Sequence, residues 1–212
     1  MHGVGHGAPW GTCAEIEQAV ISGLYPDNYK QAVLTFGQTS GTPMLYAFNS
    51  TADLICYSLA TPTAPAAQST ILNYSTASWN DLDASGSLVA IAQYTGGQSA
   101  LYDLSTPTAP VYKDSTDVTP YGIQSMATMP GYLVFTASGD ATIYDISTAS
   151  AASFVSTFLP ITTNDPVNVV TNGTTAFFGQ STSPSLRSYD LSNPAAPVFV
   201  GSLSGNTTPI QT

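Results

Sequence analysis

The sequence predicts an all-β protein that repeats one unit about four times along its 212 residues. Two landmarks that recur with the same period support this fold class, because fixed periods of this length are typical of repeat architectures. The first landmark is a tyrosine that closes an apolar stretch, at spacings of 45, 42 and 45 positions: Tyr57, Tyr102, Tyr144 and Tyr189. The second is a glycine that precedes an apolar run, at spacings of 45, 45 and 42 positions: Gly41, Gly86, Gly131 and Gly173.

Within one unit, the residue pattern predicts four short strands. The first runs into the glycine turn, as over 122–127, and the second is the apolar run after the glycine, as over 132–136. A near-continuous run of this kind predicts a strand that is buried on both faces. The third strand contains the tyrosine, as over 141–146, and the fourth follows the prolines, as over 198–203. Four strands in about 40 to 50 residues are typical of a propeller blade, so we predict a small β-propeller of about four four-stranded blades.

The predicted blades span approximately 31–72, 73–118, 119–161 and 162–205, and a C-terminal tail follows. We expect them to close into a ring within one chain. The alternative is that units from two or more chains complete one ring or stack, since an open set of blades leaves edges that must be covered.

Residues 1–30 form an N-terminal arm that stands apart from the repeats. Thr12 and Glu15 fit a capping box, and the apolar spacing that follows predicts a short helix over about 13–23. This arm either covers one face or edge of the blades or reaches a neighbouring subunit. Both possibilities fit an appendage that a self-sufficient propeller would not need, and the second makes another protein subunit the partner of the arm.

One stretch of the repeat resembles a known family. Residues 189–201 contain an aspartate after the tyrosine, a small residue and a Pro-x-x-Pro segment before an outer strand, which is similar to the LVIVD-type β-propeller repeat. The resemblance extends over about 31–205 and is clearest in the second and fourth units. It departs in the first unit, which has Ser58 in place of aspartate, and in the third, where Ala149 and Ala152 replace the prolines. The resemblance implies an architecture and carries no expectation about activity.

The charge of the chain argues against several partners. Charged residues make up 8% of the sequence, lysine and arginine together number three, and the formal net charge is −10. Nucleic-acid binding needs clustered cations, so we exclude nucleic acid as a partner, and we expect no membrane insertion because no apolar run is long enough to span a bilayer. The first residues also lack the pattern of a secretion signal, so either a signal has been removed from the sequence or the protein leaves its cell by another route, such as inside a virus particle.

Two groups of acidic residues are candidates for chemistry. Asp81, Asp83 and Ser85 match the opening of a calcium loop, but Ala92 stands where that loop needs a bidentate glutamate, and the repeat places 85–86 at an ordinary hairpin turn. The second group recurs at one position in three of the four units, and a serine follows each aspartate two positions later. We predict that each carboxylate caps the following turn by accepting hydrogen bonds from backbone N–H groups: Asp103, Asp145 and Asp190.

Cysteine and histidine provide no catalytic set. Cys13 and Cys56 can form a disulfide, although we favour two buried free thiols. The only histidines, His2 and His6, lie in a glycine-rich tail and leave the repeats without a histidine base.

We therefore expect a structural or interaction protein without enzymatic activity and without a cofactor. The expected setting is extracellular or the surface of a virion, as in a capsid decoration or tail protein. The alternatives are a secreted carbohydrate-binding or adhesive propeller and, third, a propeller hydrolase or lactonase. The abundance of tyrosine, at twelve residues, suits contacts with protein or glycans.

Overall fold

The computed structural model describes residues 31–36, 43–48, 54–61, 66–71, 79–85, 88–93, 98–103, 105–106, 109–117, 122–148, 150–160, 168–180 and 186–204. The predicted arm over 1–30, with its helix and Cys13, lies outside the described residues. So does the predicted C-terminal tail from 205 onward. The described part of the chain contains no helix that is long and apolar enough to cross a membrane.

The described chain is all-β and forms four antiparallel sheets of four strands each, in which every strand pairs with its neighbours in the sequence. Sheet I comprises β1 (Gln31–Phe36), β2 (Pro43–Phe48), β3 (Leu54–Ser58) and β4 (Ala66–Ile71). Sheet II comprises β5 (Trp79–Ser85), β6 (Leu88–Gln93), β7 (Gln98–Asp103) and β8 (Val111–Asp117). Sheet III comprises β9 (Ser125–Met129), β10 (Tyr132–Ala137), β11 (Asp140–Asp145) and β12 (Ser153–Phe158). Sheet IV comprises β13 (Asn168–Asn172), β14 (Thr175–Gly179), β15 (Leu186–Asp190) and β16 (Val198–Leu203).

The predicted all-β class and the four strands per unit are confirmed. In the third and fourth sheets, backbone conformation explains why the repeat has a glycine. The glycine lies in the hairpin between the first two strands. Gly131 has a φ of 77° and Gly173 a φ of 61°, a left-handed conformation that side chains with a Cβ rarely adopt. A short connection of this kind keeps the two strands in register, so the glycine landmark marks the β9–β10 and β13–β14 hairpins.

The four sheets stand in a row that is held together at their first strands. β1 packs on β5, β5 on β9, and β9 on β13. Among the described strands, no packing of comparable extent joins β13 back to β1. The ring closure that we expected within one chain is therefore not found in this part of the molecule.

Apolar clusters fill the spaces between successive sheets. The cluster between sheets I and II contains Met44, Tyr46, Leu54, Cys56, Leu82, Val89, Ile91, Ala100 and Tyr102. The cluster between sheets II and III contains Ala90, Ala92, Leu101, Ile123, Met126, Leu133, Phe135 and Ile146. The cluster between sheets III and IV contains Ala127, Met129, Val134, Ala141, Ile143, Val169, Ala176, Phe178, Tyr189 and Leu191. A smaller cluster lies on sheet I alone: Leu45, Ala47 and Leu59, with Tyr57 packed against them.

The second strands confirm the predicted burial on both faces in sheet III but not in sheet IV. In β10, every residue from Leu133 to Ala137 is buried. In β14, Ala176 and Phe178 are buried while Phe177 between them is only partly buried. The prediction is wrong for β14 because sheet IV has a packed neighbour on only one side among the described residues.

Candidate functional site: the open face of the fourth sheet

The repeat tyrosine marks one face of each sheet, which we call the tyrosine face. Tyr102 lies in the cluster between sheets I and II, Tyr144 packs against the cluster between II and III, and Tyr189 belongs to the cluster between III and IV. In sheets II, III and IV, the tyrosine face therefore packs against the preceding sheet. The face of the preceding sheet that it contacts is the one opposite to that sheet's own tyrosine face. We call that opposite face the forward face. These three repeat tyrosines therefore pack between successive sheets.

The centre of each forward face is a pair of side chains that lie opposite each other on the second and third strands. In sheets I to III both members are at most 2% exposed: Tyr46 with Cys56, Ala90 with Leu101, and Val134 with Ile143. The corresponding pair in sheet IV is Phe177 with Ser188, and both side chains are only partly buried. Among the described residues, the fourth forward face therefore has no covering sheet, whereas the other three are each covered by the next sheet.

Apolar side chains surround this open pair on sheet IV. Val170 pairs with Phe177 from the first strand and is 47% exposed. Leu203 pairs with Leu186 at the far edge and is 62% exposed. We call the surface formed by five side chains the open forward face: Val170, Phe177, Leu186, Ser188 and Leu203. It is an apolar surface on a chain whose other described sheet faces of this kind are all covered by the next sheet.

Side-chain hydrogen bonds along the first strands reinforce the junction between sheets II and III. Asp81 on β5 accepts a hydrogen bond from the backbone N–H of Met126 on β9, at 2.6 Å. Asp83 accepts one from the N–H of Thr128, also at 2.6 Å, and a second from the Thr128 hydroxyl at 3.0 Å. Carboxylates that accept backbone N–H bonds form strong, charge-assisted contacts. Two acids spaced by two residues on one strand thus tie this sheet to the next.

The junction between sheets III and IV repeats the same pattern with neutral groups. The Ser125 hydroxyl, which occupies the position of Asp81, accepts from the N–H of Val169 at 3.3 Å. The Thr171 hydroxyl donates to the carbonyl of Thr128 at 2.6 Å. In sheet IV the same position as Asp81 and Ser125 is occupied by Asn168, which is exposed. The open forward face therefore carries a polar group at the position that binds the next first strand in the two preceding sheets.

The calcium candidates fall within this pattern. Asp81 and Asp83 lie in β5, and their second carboxylate oxygens accept the N–H groups of Leu82 and Ala84 at 2.8 Å. The side chain of Ser85 lies outside the described residues. No group of three or more histidine, cysteine, aspartate or glutamate side chains in the described part of the chain is placed to hold a metal. The contacts assign both acids a role in joining sheets, and the calcium interpretation stays a prediction.

The recurrent aspartates have the turn-capping role that the sequence predicts. Each accepts a hydrogen bond at 2.8 Å from the backbone N–H of the serine two residues later: Asp103 from Ser105, Asp145 from Ser147 and Asp190 from Ser192. In the first unit the Ser58 hydroxyl accepts from the N–H of Ala60 at 3.3 Å, so serine replaces aspartate in the same turn. Hydrogen bonds from Ser105 lower the pKa of Asp103, and hydrogen bonds from Ser147 lower the pKa of Asp145.

Cys56 is a buried free thiol, as we favoured, and Cys13 lies outside the described residues. Burial raises the pKa of Cys56 to about 11. Burial also raises the pKa of Tyr46, its partner across the two strands, and the interaction with Cys56 adds to this effect. Neither group can ionise readily near neutral pH, so this pair belongs to the core and not to a reactive site.

A bulge and an exposed aromatic recur at the outer strand, and sequence reasoning missed both. In every sheet the pairing of the third and fourth strands shifts by one residue just before the repeat tyrosine. Ten positions after that tyrosine, three units place an aromatic ring edge-on against it at 5.5–6.0 Å: Tyr112, Phe154 and Phe199, which are 41%, 60% and 52% exposed. The fixed spacing of ten was the available sequence signal.

No family model matches the chain, and no curated protein matches it. Solved structures do resemble its fold. A functionally unknown protein from Desulfotomaculum acetoxidans DSM 771 has 13% identity and a TM-score of 0.69, over 84% of this chain and 56% of that protein. Sqt1 of Saccharomyces cerevisiae has 11% identity and a TM-score of 0.65, over 85% and 50%. The computationally designed Ika8 protein has 10% identity and a TM-score of 0.62, over 83% and 49%. At these identities the likeness shows the fold alone, and the chain spans about half the length of the proteins it resembles.

Proposed function

We propose that this chain is a non-enzymatic structural or interaction protein whose four sheets are blades of a β-propeller in an open arc. The open forward face of sheet IV is the surface through which it joins another protein. The observation that carries this proposal is the contrast at the centre of the forward faces. Phe177 and Ser188 are only partly buried, whereas the corresponding pairs in the other sheets are at most 2% exposed.

The arrangement of the faces supports the propeller interpretation. Each junction joins a forward face to a tyrosine face, and the first strand of each sheet lies beside the first strand of the next. Four-stranded meanders that pack in this constant sense around their first strands are the blades of a propeller. This chain covers only 49–56% of the length of the similar structures, which fits an arc that occupies part of a ring.

Composition supports a setting outside a cell or on a virion surface. Charged residues make up only 8% of the chain, and neutral side chains do most of the solvation. We also propose that residues 1–30, which lie outside the described residues, give such a building block a second means of attachment. We propose this setting on the sequence alone.

Extending the repeat array tests whether the open forward face is a docking surface. A second copy of residues 162–205 is inserted directly after the first, so that its tyrosine face can pack on sheet IV. We expect a single, more stable unfolding transition and slower amide hydrogen exchange in β13 to β16, because each added repeat contributes a nearest-neighbour interface.

The matched control for this experiment carries the same insertion with the added copies of Phe178 and Tyr189 replaced by serine. That variant has the same length but lacks the apolar side chains that make the junction. If the intact fifth unit leaves the melting temperature and the exchange of sheet IV unchanged, the open forward face is a finished surface and the proposal is refuted.

A second candidate function, glycan binding, has one observation in its favour. Tyr112, Phe154 and Phe199 form equivalent exposed rings in three sheets, each supported by a repeat tyrosine. Repeated aromatic surfaces on a neutral background suit the apolar faces of sugars. A glycan array would test it, with a triple variant that carries Tyr112→Ser, Phe154→Ser and Phe199→Ser as the control: binding that is equal in both proteins excludes these rings as the site.

A further inference from the structure

We infer that the open forward face of sheet IV binds the tyrosine face of sheet I in a second copy of this chain, so that two copies close one ring of eight sheets. This inference rests on the proposed function and names its partner. It follows from three observations: the two ends of the row are complementary, the contact surface is uncharged, and the area suffices only when two junctions form.

The two ends of the row carry the two halves of the junction that is used inside it. Sheet IV offers a forward face, and sheet I offers a tyrosine face with Tyr57, Leu45 and Ala47. Sheets II to IV use this same combination at every internal junction. Since each copy has one face of each kind, the head of one copy fits the tail of another, and a head-to-tail contact closes into a ring when its rotation completes a full turn.

The register of the internal junctions predicts the polar contact at the new one. Asp81 and Ser125 each accept a backbone N–H from the next first strand, at Met126 and Val169. Asn168 occupies the same position in sheet IV. Its side-chain oxygen is therefore placed to accept the backbone N–H of the corresponding residue in sheet I of the second copy, which is Ala32.

Charge favours this face as the point of contact between two copies. The chain has a formal net charge of −10, so most pairs of surfaces on two copies repel each other. The side chains of the open forward face, Val170, Phe177, Leu186, Ser188 and Leu203, carry no charge. The nearest carboxylate on this face, that of Asp190, lies at the end of β15 and accepts the N–H of Ser192.

The area of one junction is small, which is why two are needed. Four strands of about five residues, at roughly 4.8 Å spacing and 3.3 Å rise, cover about 300 Å² of sheet. One junction then buries roughly 600 Å² in total from both partners, whereas a stable interface needs at least about 1,200 Å². A closed ring of two copies has two junctions and reaches the lower end of that range.

Ring formation requires a rearrangement at sheet I. In the single chain Leu45 and Ala47 are already buried, at 4% and 0% exposure. For the ring to form, the second copy must replace the contacts that bury Leu45 and Ala47 in the single chain. We therefore expect assembly to be slow and dependent on concentration, with monomer persisting after dilution.

Absolute mass by light scattering after size exclusion is the first test. We expect a species of about 44 kDa, twice the chain mass of 22.0 kDa. Val170→Glu should shift the observed mass to that of the monomer, because the substitution places a charge in the junction between the two copies. Val170 is 47% exposed in the single chain, so the substitution should leave the monomer folded. Val111→Glu is the control, since Val111 is 52% exposed and lies on the outer strand of sheet II. A 22 kDa species at every concentration, or equal effects of the two variants, overturns the inference.

A cross-link then tests which faces meet. In the junction between sheets III and IV, the rings of Phe158 and Tyr189 are 5.1 Å apart. Leu203 and Tyr57 occupy the corresponding positions at the open end of sheet IV and on sheet I. The double variant Leu203→Cys with Tyr57→Cys should form a disulfide-linked dimer under mild oxidation, and neither single variant should.

The outcomes separate the inference from the proposal on which it rests. A dimer that is cross-linked by Leu203→Cys alone means that two sheet IV faces meet, which overturns the head-to-tail ring. A monomer onto which the added fifth repeat nevertheless docks overturns the second copy as partner and leaves the proposed function standing. A monomer onto which the fifth repeat does not dock overturns both.

Discussion

Asp81 gives the most direct test of how the sheets are joined. Its carboxylate is 8% exposed and accepts the N–H of Met126 from the neighbouring sheet at 2.6 Å. Its other oxygen accepts the N–H of Leu82 at 2.8 Å within its own strand. Asp81→Ala removes both acceptors and leaves the Met126 amide without this partner in a buried place.

The expected cost follows from the type of bond. A hydrogen bond to a charged group contributes about 1.5–3 kcal/mol, and the loss of its acceptor leaves a buried donor unsatisfied. We therefore expect Asp81→Ala to lower the free energy of unfolding by about 2 kcal/mol. In a chain of this length that corresponds to a fall in melting temperature of about 4–8 °C. Asp81→Asn keeps one acceptor oxygen and should cost about half as much.

Urea denaturation followed by circular dichroism measures these values, with Asp140→Ala as the control. Asp140 is partly buried at the start of β11, and its side chain forms no hydrogen bond or ion pair with the residues that the structure describes. It should change the free energy of unfolding by less than about 0.5 kcal/mol. A cost for Asp81→Ala no larger than that of the control would mean that this bond does not help to hold sheets II and III together.

Three further predictions concern single positions. Cys56 should react with a thiol reagent at pH 8 only when the chain unfolds, because burial raises its pKa to about 11; mass spectrometry of a Cys13→Ser variant identifies the site. Gly131→Ala should cost about 1 kcal/mol more in thermal unfolding than Gly201→Ala, since only Gly131 has a positive φ, of 77°. Hydrogen bonds from Ser147 lower the pKa of Asp145, so their stabilisation is present above the unfolded pKa of about 4 and is lost as the pH falls through the folded value; Asp145→Asn should flatten the acid limb of a stability–pH curve.

Local features of this fold could be predicted from the sequence because they depend on neighbouring residues. A strand after a glycine needs only the apolar run and the hairpin, and β16 begins and ends where the residues after the prolines predict it. The aspartate turn likewise depends on a side chain and an N–H two residues apart. The period of the repeat then transfers each local assignment from one unit to the others.

Features that join different units could not be predicted in this way. Asp81 and Asp83 fit the spacing of a calcium loop, and only the position of β9 shows that their oxygens bind Met126 and Thr128. The sequence also did not indicate that one face of sheet IV is open, because an apolar run such as 176–178 has the same composition whether one or both of its faces are covered. Periodicity establishes how many units there are, but the order of packing decides which face has no neighbour.

The composition of the open forward face bears on when it is covered. Its central pair, Phe177 and Ser188, combines a large apolar ring with a hydroxyl. The covered pairs are wholly aliphatic in sheets II and III, but the covered pair of sheet I, Tyr46 with Cys56, also combines a ring with polar groups. A face that stays dry from folding onward gains most from aliphatic side chains. One that is wet before assembly and dry afterwards must remain soluble first, which favours a mixed surface like that of a protein interface. Since Ser188 already donates to the carbonyl of Gly201 in its own sheet, its hydroxyl enters a junction satisfied, and closing the face leaves no unpaired group at that position.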